Sequence, residues 1–372
     1  MARQILLIGS ITDISPARYL AQSFLDLGYD VFAVSDQGGK NVSLVRRRAV
    51  DIEKMCRESA IKPKLMIFVE GGNMNLLPIN FESLKFPKYW WGIDTHNDYG
   101  KHLAISRLFD HSFIAQYDFV EKLQNDGVTN ISWLPLAYPD SLDPESTTTR
   151  NLDISYIGSS NWKLYPERGE LLKAITSNFK NNKVGQAQAS EMIEIYSNSK
   201  IVFNYSLKND INMRFFEAIG AGAMLLTNQI VGNGIDELFV EGEDYVAYAD
   251  KADLIAKIEH YLSSDMGRNA ISASGRLKVQ SAHTYKNRAE YITGYDNQGT
   301  KDRHISHSDY SSALTQMDFY ADALSEFRKE IKARPYSKQN RLRNVFIAPL
   351  LGLLNGLLRL IEKLIDFSRF VK

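Results

Sequence analysis

Cysteine is almost absent from this chain: Cys56 is the single one in 372 residues. One thiol excludes an internal disulfide and suits a reducing compartment. Charge of one sign is missing too, since Lys plus Arg and Asp plus Glu both total 44. No overall field therefore draws the chain to nucleic acid, and a nucleic-acid partner is not expected. Long hydrophobic runs are also lacking. The apolar start at Ile5 to Ile8 is too short for a signal peptide and reads as a first strand, which makes a cytoplasmic location the expectation. No close set of His, Cys and carboxylates has ligand spacing, and there is no Asp-x-Asp pair, so no metal site is assigned and no cofactor is required. Gly9-Ser10-Ile11-Thr12-Asp13 stands where a dinucleotide oxidoreductase would carry Gly-x-Gly-x-x-Gly, which sets that class aside.

What is present is a globular composition, 44% hydrophobic and 24% charged, in a chain long enough for two α/β domains and an appendage. Strand-like runs at Gln4 to Ile8, Asp30 to Val34, Leu65 to Val69, Tyr89 to Ile93, Ser112 to Ala115 and Ile131 to Leu134 alternate with amphipathic stretches. That rhythm predicts a parallel sheet covered by helices. Pro139, Pro144 and a Ser-Thr run mark a connection, after which the alternation resumes. The expected organisation is a first domain over 1–138, a linker over 139–152, a second domain over 153–294 and a helical extension over 295–372. A cleft between two α/β halves is a default binding site.

The most informative segment runs from Asn212 to Thr227. Asp210 or Asn212 can cap a helix there, Arg214 and Glu217 then share one face, and Gly220 and Gly222 end it before the apolar strand Ala223 to Leu226. Thr227 falls at the carboxyl end of that strand, where open α/β sheets bind ligands. An exposed Glu able to accept ribose hydroxyls, beside an Arg able to pair with a diphosphate, suits a nucleotide-sugar. The alternative is a plain surface Arg and Glu pair on an amphipathic helix.

Near the C-terminus, the basic cluster Arg328, Lys329, Lys332, Arg334, Lys338, Arg341 and Arg343 precedes an apolar helical tail with a narrow polar stripe. The apolar stretches are too short to cross a bilayer. Two readings stay open: segment 328–372 lies on an anionic membrane surface, making the protein peripheral, or it packs on the protein itself or on a partner chain. Homo-oligomerisation is left open as well.

Taken in order, Asp153-Ile154-Ser155-Tyr156-Ile157-Gly158-Ser159 with Arg168, Ser199 to Asn204, Asn212 to Thr227, and His283-Thr284-Tyr285 with Arg288 resemble bacterial GT-B glycosyltransferases. The specific resemblance is to those whose C-terminal half is the "glycosyl transferases group 1" domain found in CgeB-like spore maturation proteins. The first half is similar more loosely, through Tyr89 to His96, Phe113 to Gln116 and Trp133 to Leu136. The resemblance implies two Rossmann-like domains about a central cleft, with a UDP- or GDP-sugar donor held by the second and a glycan, lipid-linked or protein acceptor by the first. It implies Glu217 at the donor ribose, Arg214 at the diphosphate, and Gly158 and Ser159 in a phosphate-approaching loop. Arg168, Asn204, Lys208, Asn212 and Thr227 complete the donor set. Many retaining relatives carry an acidic residue where this chain has Asn209, so the stereochemical outcome stays open.

Transfer with inversion needs a base on the acceptor hydroxyl. Asp94 and His96, after a strand, and Asp13, after the first strand, are the candidates; a capped turn is the plain alternative for the first two and helix capping for Asp13. Glu70-Gly71-Gly72-Asn73, after another strand, is read either as lining the acceptor cleft or as a tight turn that its glycines suit equally well, His283 as structural, and Trp90, Trp91 and Trp133 as core or as sugar-stacking rings. The competing functions are an epimerase acting on a nucleotide-sugar and a non-catalytic binding or scaffold protein on the same fold.

Overall fold

The structure is a computed structural model that describes residues 3–36, 42–44, 49–70, 76–81, 83–143, 149–159 and 165–295. The expected C-terminal extension and its basic tail lie outside the described residues.

The first half runs β1 (Gln4–Gly9), α1 (Pro16–Asp26), β2 (Asp30–Ser35), β3 (Val42–Leu44), β4 (Ala49–Asp51), α2 (Ile52–Glu58), β5 (Leu65–Val69), β6 (Leu77–Ile79), β7 (Lys88–Gly92), α3 (Tyr99–Ser106), β8 (His111–Ile114), α4 (Asp118–Asn125) and β9 (Ile131–Trp133). Seven of these strands form one sheet in the order β3-β2-β1-β5-β7-β8-β9, with every pairing parallel. Alternation along each strand explains the two layers that cover it. Ile5, Leu7, Tyr89 and Trp91 enter one apolar cluster, while Leu6, Ile8 and Trp90 enter another. A sheet buried on both faces reads as a continuous apolar run, as in Leu-Met-Ile-Phe-Val of β5.

The second half runs β10 (Leu152–Ile157), α5 (Pro166–Asn178), β11 (Asn182–Gly185), α6 (Ala189–Ser197), β12 (Ser199–Phe203), α7 (Met213–Gly220), β13 (Met224–Asn228), α8 (Ile235–Leu238), β14 (Val246–Tyr248), α9 (Lys251–Ser263), α10 (Asp265–Ala282) and α11 (Tyr285–Gly294). Its five strands are ordered β11-β10-β12-β13-β14, again all parallel.

The long periodic segments match the sequence expectation closely, whereas short β3, β4, β6, β11, β14 and α8 had escaped it. The missed strands span three or four residues, too few side chains to show a period unless the run is strongly apolar as in β8. Helix α11 packs against α1 of the first half, with the Tyr285 and Tyr19 rings 5.2 Å apart. One apolar cluster is thereby continuous across both halves, from Leu7 and Trp91 to Phe216 and Ile219. Trp90 and Trp91 are fully buried, which makes them core rather than sugar platforms. Among the described residues, no helix is long and apolar enough to cross a membrane.

Candidate functional site

Strand order reverses between β10 and β12 in the second sheet, and ligands of open parallel sheets bind in the crevice outside that reversal. Arg214 spans it. Its Nε donates to the Ile157 carbonyl at the end of β10 (3.0 Å), and Nη1 donates to Asn204 Oδ1 just beyond β12 (2.9 Å). The guanidinium lies over the Tyr156 ring, 4.3 Å from its centroid. Its other terminal nitrogen faces Gly158, where a Cβ would stand 2.2 Å from Nη2. Glycine at this position is therefore a condition for Arg214 to lie where it does.

The neighbouring residues serve this arrangement. Asn212 caps α7, its Oδ1 accepting from Phe215 N, so Asn212 and not Asp210 is the cap. Asn204 and Thr227 are fully buried and joined at 3.1 Å, and Asn212 Nδ2 donates to the same Asn204 Oδ1 that receives Arg214. Arg168 is 7% exposed and donates through Nη2 to the Ser159 carbonyl (2.9 Å), so it braces the loop after β10. His283 packs in a three-ring cluster with Phe216 and Phe239, and its Nδ1 lies 3.2 Å from Arg288 Nη2, in keeping with a structural role.

Glu217 departs from the sequence reading, which had it exposed. It is 4% exposed and accepts no hydrogen bond among the described residues. Tyr19 of α1, Tyr196 of α6 and Tyr285 of α11 all feel its charge, so the carboxyl lies at the seam between the halves, covered from the far side. Periodicity could place Glu217 and Arg214 on one face of α7; it could not show that Tyr19 of α1 and Tyr285, 68 residues further on, would come to lie beside the carboxyl. Burial pushes the Glu217 carboxyl up to about 7 against the opposing pull of Arg214. The hydroxyls of Tyr19 and Tyr285, which feel the Glu217 charge, are buried without a partner among the described residues. Unsatisfied buried oxygens are rare and costly, of order 1–3 kcal/mol each.

The carboxyl ends of the two sheets face each other. Lys208, in the loop between β12 and α7, reaches across to the His96 carbonyl (3.2 Å) and Asn97 Oδ1 (3.0 Å). Gln116, just beyond β8, donates to Asp210 Oδ1 (3.0 Å), and Asn233 N donates to Asp118 Oδ1 (2.8 Å). Lys208, Asn209 and Asn233 all have positive φ, at 52°, 59° and 53°. Asn is the side chain that tolerates this region best, which suits position 209. Lys208 is thus held by the first half.

Asp94 follows β7 in the left-handed region, φ 67°, with its side chain 38% exposed. Its carboxyl is raised to about 6, by burial first and the Glu70 carboxylate second, against His102 and Lys208. His96 Nε2 is 3.9 Å from Asp94 Oδ1, beyond hydrogen-bond range, and His96 is pushed down to about 4 by burial and then by Lys208. Its Nδ1 is buried without a partner. Asp13 is exposed and pairs locally with Arg18 at 2.9 Å, while Ser15 caps α1. Glu70 is 3% exposed, so it lies beneath the cleft and does not line it. The partnerships of Gln116 with Asp210 and of Glu70 with His102 left no signal in the sequence, because their members lie 94 and 32 residues apart.

Residues 144–294 match the family described as glycosyl transferase-like. Solved structures superpose on most of the chain. Anabaena HepE, in complex with UDP and glucose, is 11% identical with a TM-score of 0.58, over 79% of this chain and 100% of that one. The fold is GT-B. A Listeria monocytogenes structure assigned as a UDP-N-acetylglucosamine 2-epimerase is 10% identical, TM-score 0.53, over 79% of this chain and 95% of that one. An α-glucosyltransferase in complex with UDP and a 13-mer DNA is 10% identical, TM-score 0.52, over 79% and 100%. Identities this low establish the shared GT-B architecture alone. No curated protein sequence matches the chain significantly.

Proposed function

We propose that this GT-B protein is a glycosyltransferase that moves a sugar, a hexose by preference, from a UDP- or GDP-sugar to a cell-envelope or surface glycan, a lipid-linked intermediate or a protein. One observation carries the reading: a buried carboxyl, Glu217, has no hydrogen-bond partner among the described residues and stands beside Arg214 at the sheet's strand-order reversal, in the seam between the halves. Such a group costs stability unless a ligand completes it. The ribose hydroxyls of a nucleotide donor complete it, and Arg214 faces the diphosphate, a charge-assisted and geometrically forked contact. The match of residues 144–294 to a glycosyl transferase-like family and the UDP found in Anabaena HepE support the same donor chemistry.

Because Glu217 is 4% exposed, the seam opens to admit the nucleoside and closes over it. Asp94, on the facing sheet, is the base that takes the acceptor proton if the transfer inverts. A carboxyl raised to about 6 and half in water is a better proton acceptor than an ordinary aspartate and is still ionised at neutral pH. His96, neutral beside it, is the second candidate. We place the protein in the cytoplasm, in the CgeB-like branch, with segment 328–372 as a membrane-surface contact.

A thermal-shift screen of nucleoside diphosphates and their sugars tests this, since a specific donor stabilises the native state by mass action. A preferred nucleotide-sugar, followed by turnover with an added glycan, lipid-linked, protein or DNA acceptor, is the expected result. No shift with any nucleotide would leave a binding or scaffold protein, and conversion of the donor to its epimer without acceptor would make it an epimerase.

A further inference from the structure

Asp94 holds a backbone conformation that a non-glycine residue adopts only when its surroundings over-determine it. Those surroundings are two buried side-chain oxygens. Strand β7 ends at Gly92, and its neighbours are β5 on one side and β8 on the other. Beyond the end of the ladder, Ile93 N donates to Glu70 Oε2 at 3.0 Å, from the residue after β5, and Thr95 N donates to Gln116 Oε1 at 3.1 Å, from the second residue after β8. The two side chains thus extend the sheet's hydrogen bonding by one step on each side and leave Asp94 between them, turned out of the strand. His102 of α3 locks the set, with Nε2 3.2 Å from Glu70 Oε2 and Nδ1 3.0 Å from Thr95 Oγ1. Glu70, Thr95, His102 and Gln116 are all 3% exposed or less.

Gln116 has a second partner. Its Nε2 donates to Asp210 Oδ1 in the donor half, in a loop that Lys208 also pins to His96 and Asn97. We propose that Glu70 and Gln116 are positioning residues for Asp94, and that Gln116, held by Asp210, makes the geometry of Asp94 depend on the docking of the two halves. The acceptor base is then set only when the donor domain is in place. This rests on the reading of Asp94 as that base.

Gln116→Leu removes both hydrogen bonds at nearly constant volume. The expected result is a kcat lower by about 10–100-fold, the size of effect that a displaced reacting group produces, with donor KM changed by less than about threefold. The acid limb of the kcat profile moves to lower pH. Asp94 then swings toward water, away from Glu70, His102, His96, Lys208 and Asp210, and regains ordinary carboxylate acidity. Amide exchange at residues 93–95 speeds up in the same variant, a readout independent of turnover. Should Gln116→Leu not fold, Asp210→Leu supplies the same measurements, and Asp210→Asn, which keeps a carbonyl oxygen for Gln116, restores the kcat lost in Asp210→Leu. Wild-type kcat, an unmoved acid limb and unchanged exchange at 93–95 would overturn the proposal. If Asp94→Asn itself turns over normally, the base reading has failed; faster exchange in Gln116→Leu would then still stand for the positioning, and unchanged exchange would remove it too.

Discussion

The two sheets meet end to end, yet their facing edges are built on opposite plans. At the edge that carries Arg214, the named polar groups are satisfied within the protein: Arg214 is tied to Ile157 and Asn204, Asn204 to Thr227, Arg168 to Ser159. One carboxyl, Glu217, is left over. At the edge that carries Asp94 the satisfied groups lie underneath, in Glu70, His102 and Gln116, and the loop above them presents Asp94 partly to water. A braced edge whose buried carboxyl accepts no hydrogen bond among the described residues suits holding a ligand of fixed chemistry. A supported loop with an exposed carboxyl suits reacting with a partner that varies. Binding and chemistry should therefore separate on mutation.

Asp94→Asn gives the sharpest division. It should lower kcat by about 10²–10⁴-fold, the range for a lost general base, while donor affinity stays within about twofold. Loss of donor binding with kcat intact would reverse the two roles. Glu217→Ala should weaken donor binding by about 1–3 kcal/mol, measured by calorimetry. Its isosteric relative Glu217→Gln should melt no lower than wild type, because it removes a charge whose burial is unfavourable. An unchanged donor Kd in Glu217→Ala removes the donor assignment. Gly158→Ala should cost about 1–2 kcal/mol of donor affinity, since the new methyl displaces the Arg214 guanidinium from its two acceptors. Full affinity there would mean that Arg214 does not touch the donor.

The smallest effect is the pH dependence of donor binding. The Glu217 carboxyl is raised to about 7 in the free protein, and ribose hydroxyls donate best to its ionised form. The bound state therefore carries fewer protons, and affinity for a nucleotide-sugar should rise with pH, by at most about tenfold per unit below about 7, and flatten above it. Without ligand the sign is the reverse. A raised carboxyl contributes its stability at low pH and loses it as pH climbs from the ordinary carboxylate range through about 7. Calorimetry in two buffers of different ionisation enthalpy measures the released proton, and Glu217→Gln should abolish it.

Much of this molecule was legible in its order of residues. Buried strands such as β5 and β7 announce themselves as apolar runs, α4 and α7 carry their period in local spacing, and local chemistry marks two helix starts, with Pro166 opening α5 and Asn212 capping α7. These features depend on neighbours within a turn or two, which is the range over which sequence spacing maps directly onto space. They were enough to mark two parallel sheets, the segment that carries Arg214 and Glu217, and the loop that carries Asp94.

Tertiary structure alone decided the rest. Glu217 is buried where α11 returns to pack on α1, and Asp94 is held in a left-handed turn because Glu70 and Gln116 lie just beyond the two strands that flank β7. Asp210, open to a capping role from its spacing, belongs to Gln116 across the seam. The physical reason is the same in each case. Burial and hydrogen-bond partnership are set by which distant segments share a volume, and a charged group's pKa follows from that volume, so neither is encoded in any window of neighbouring residues.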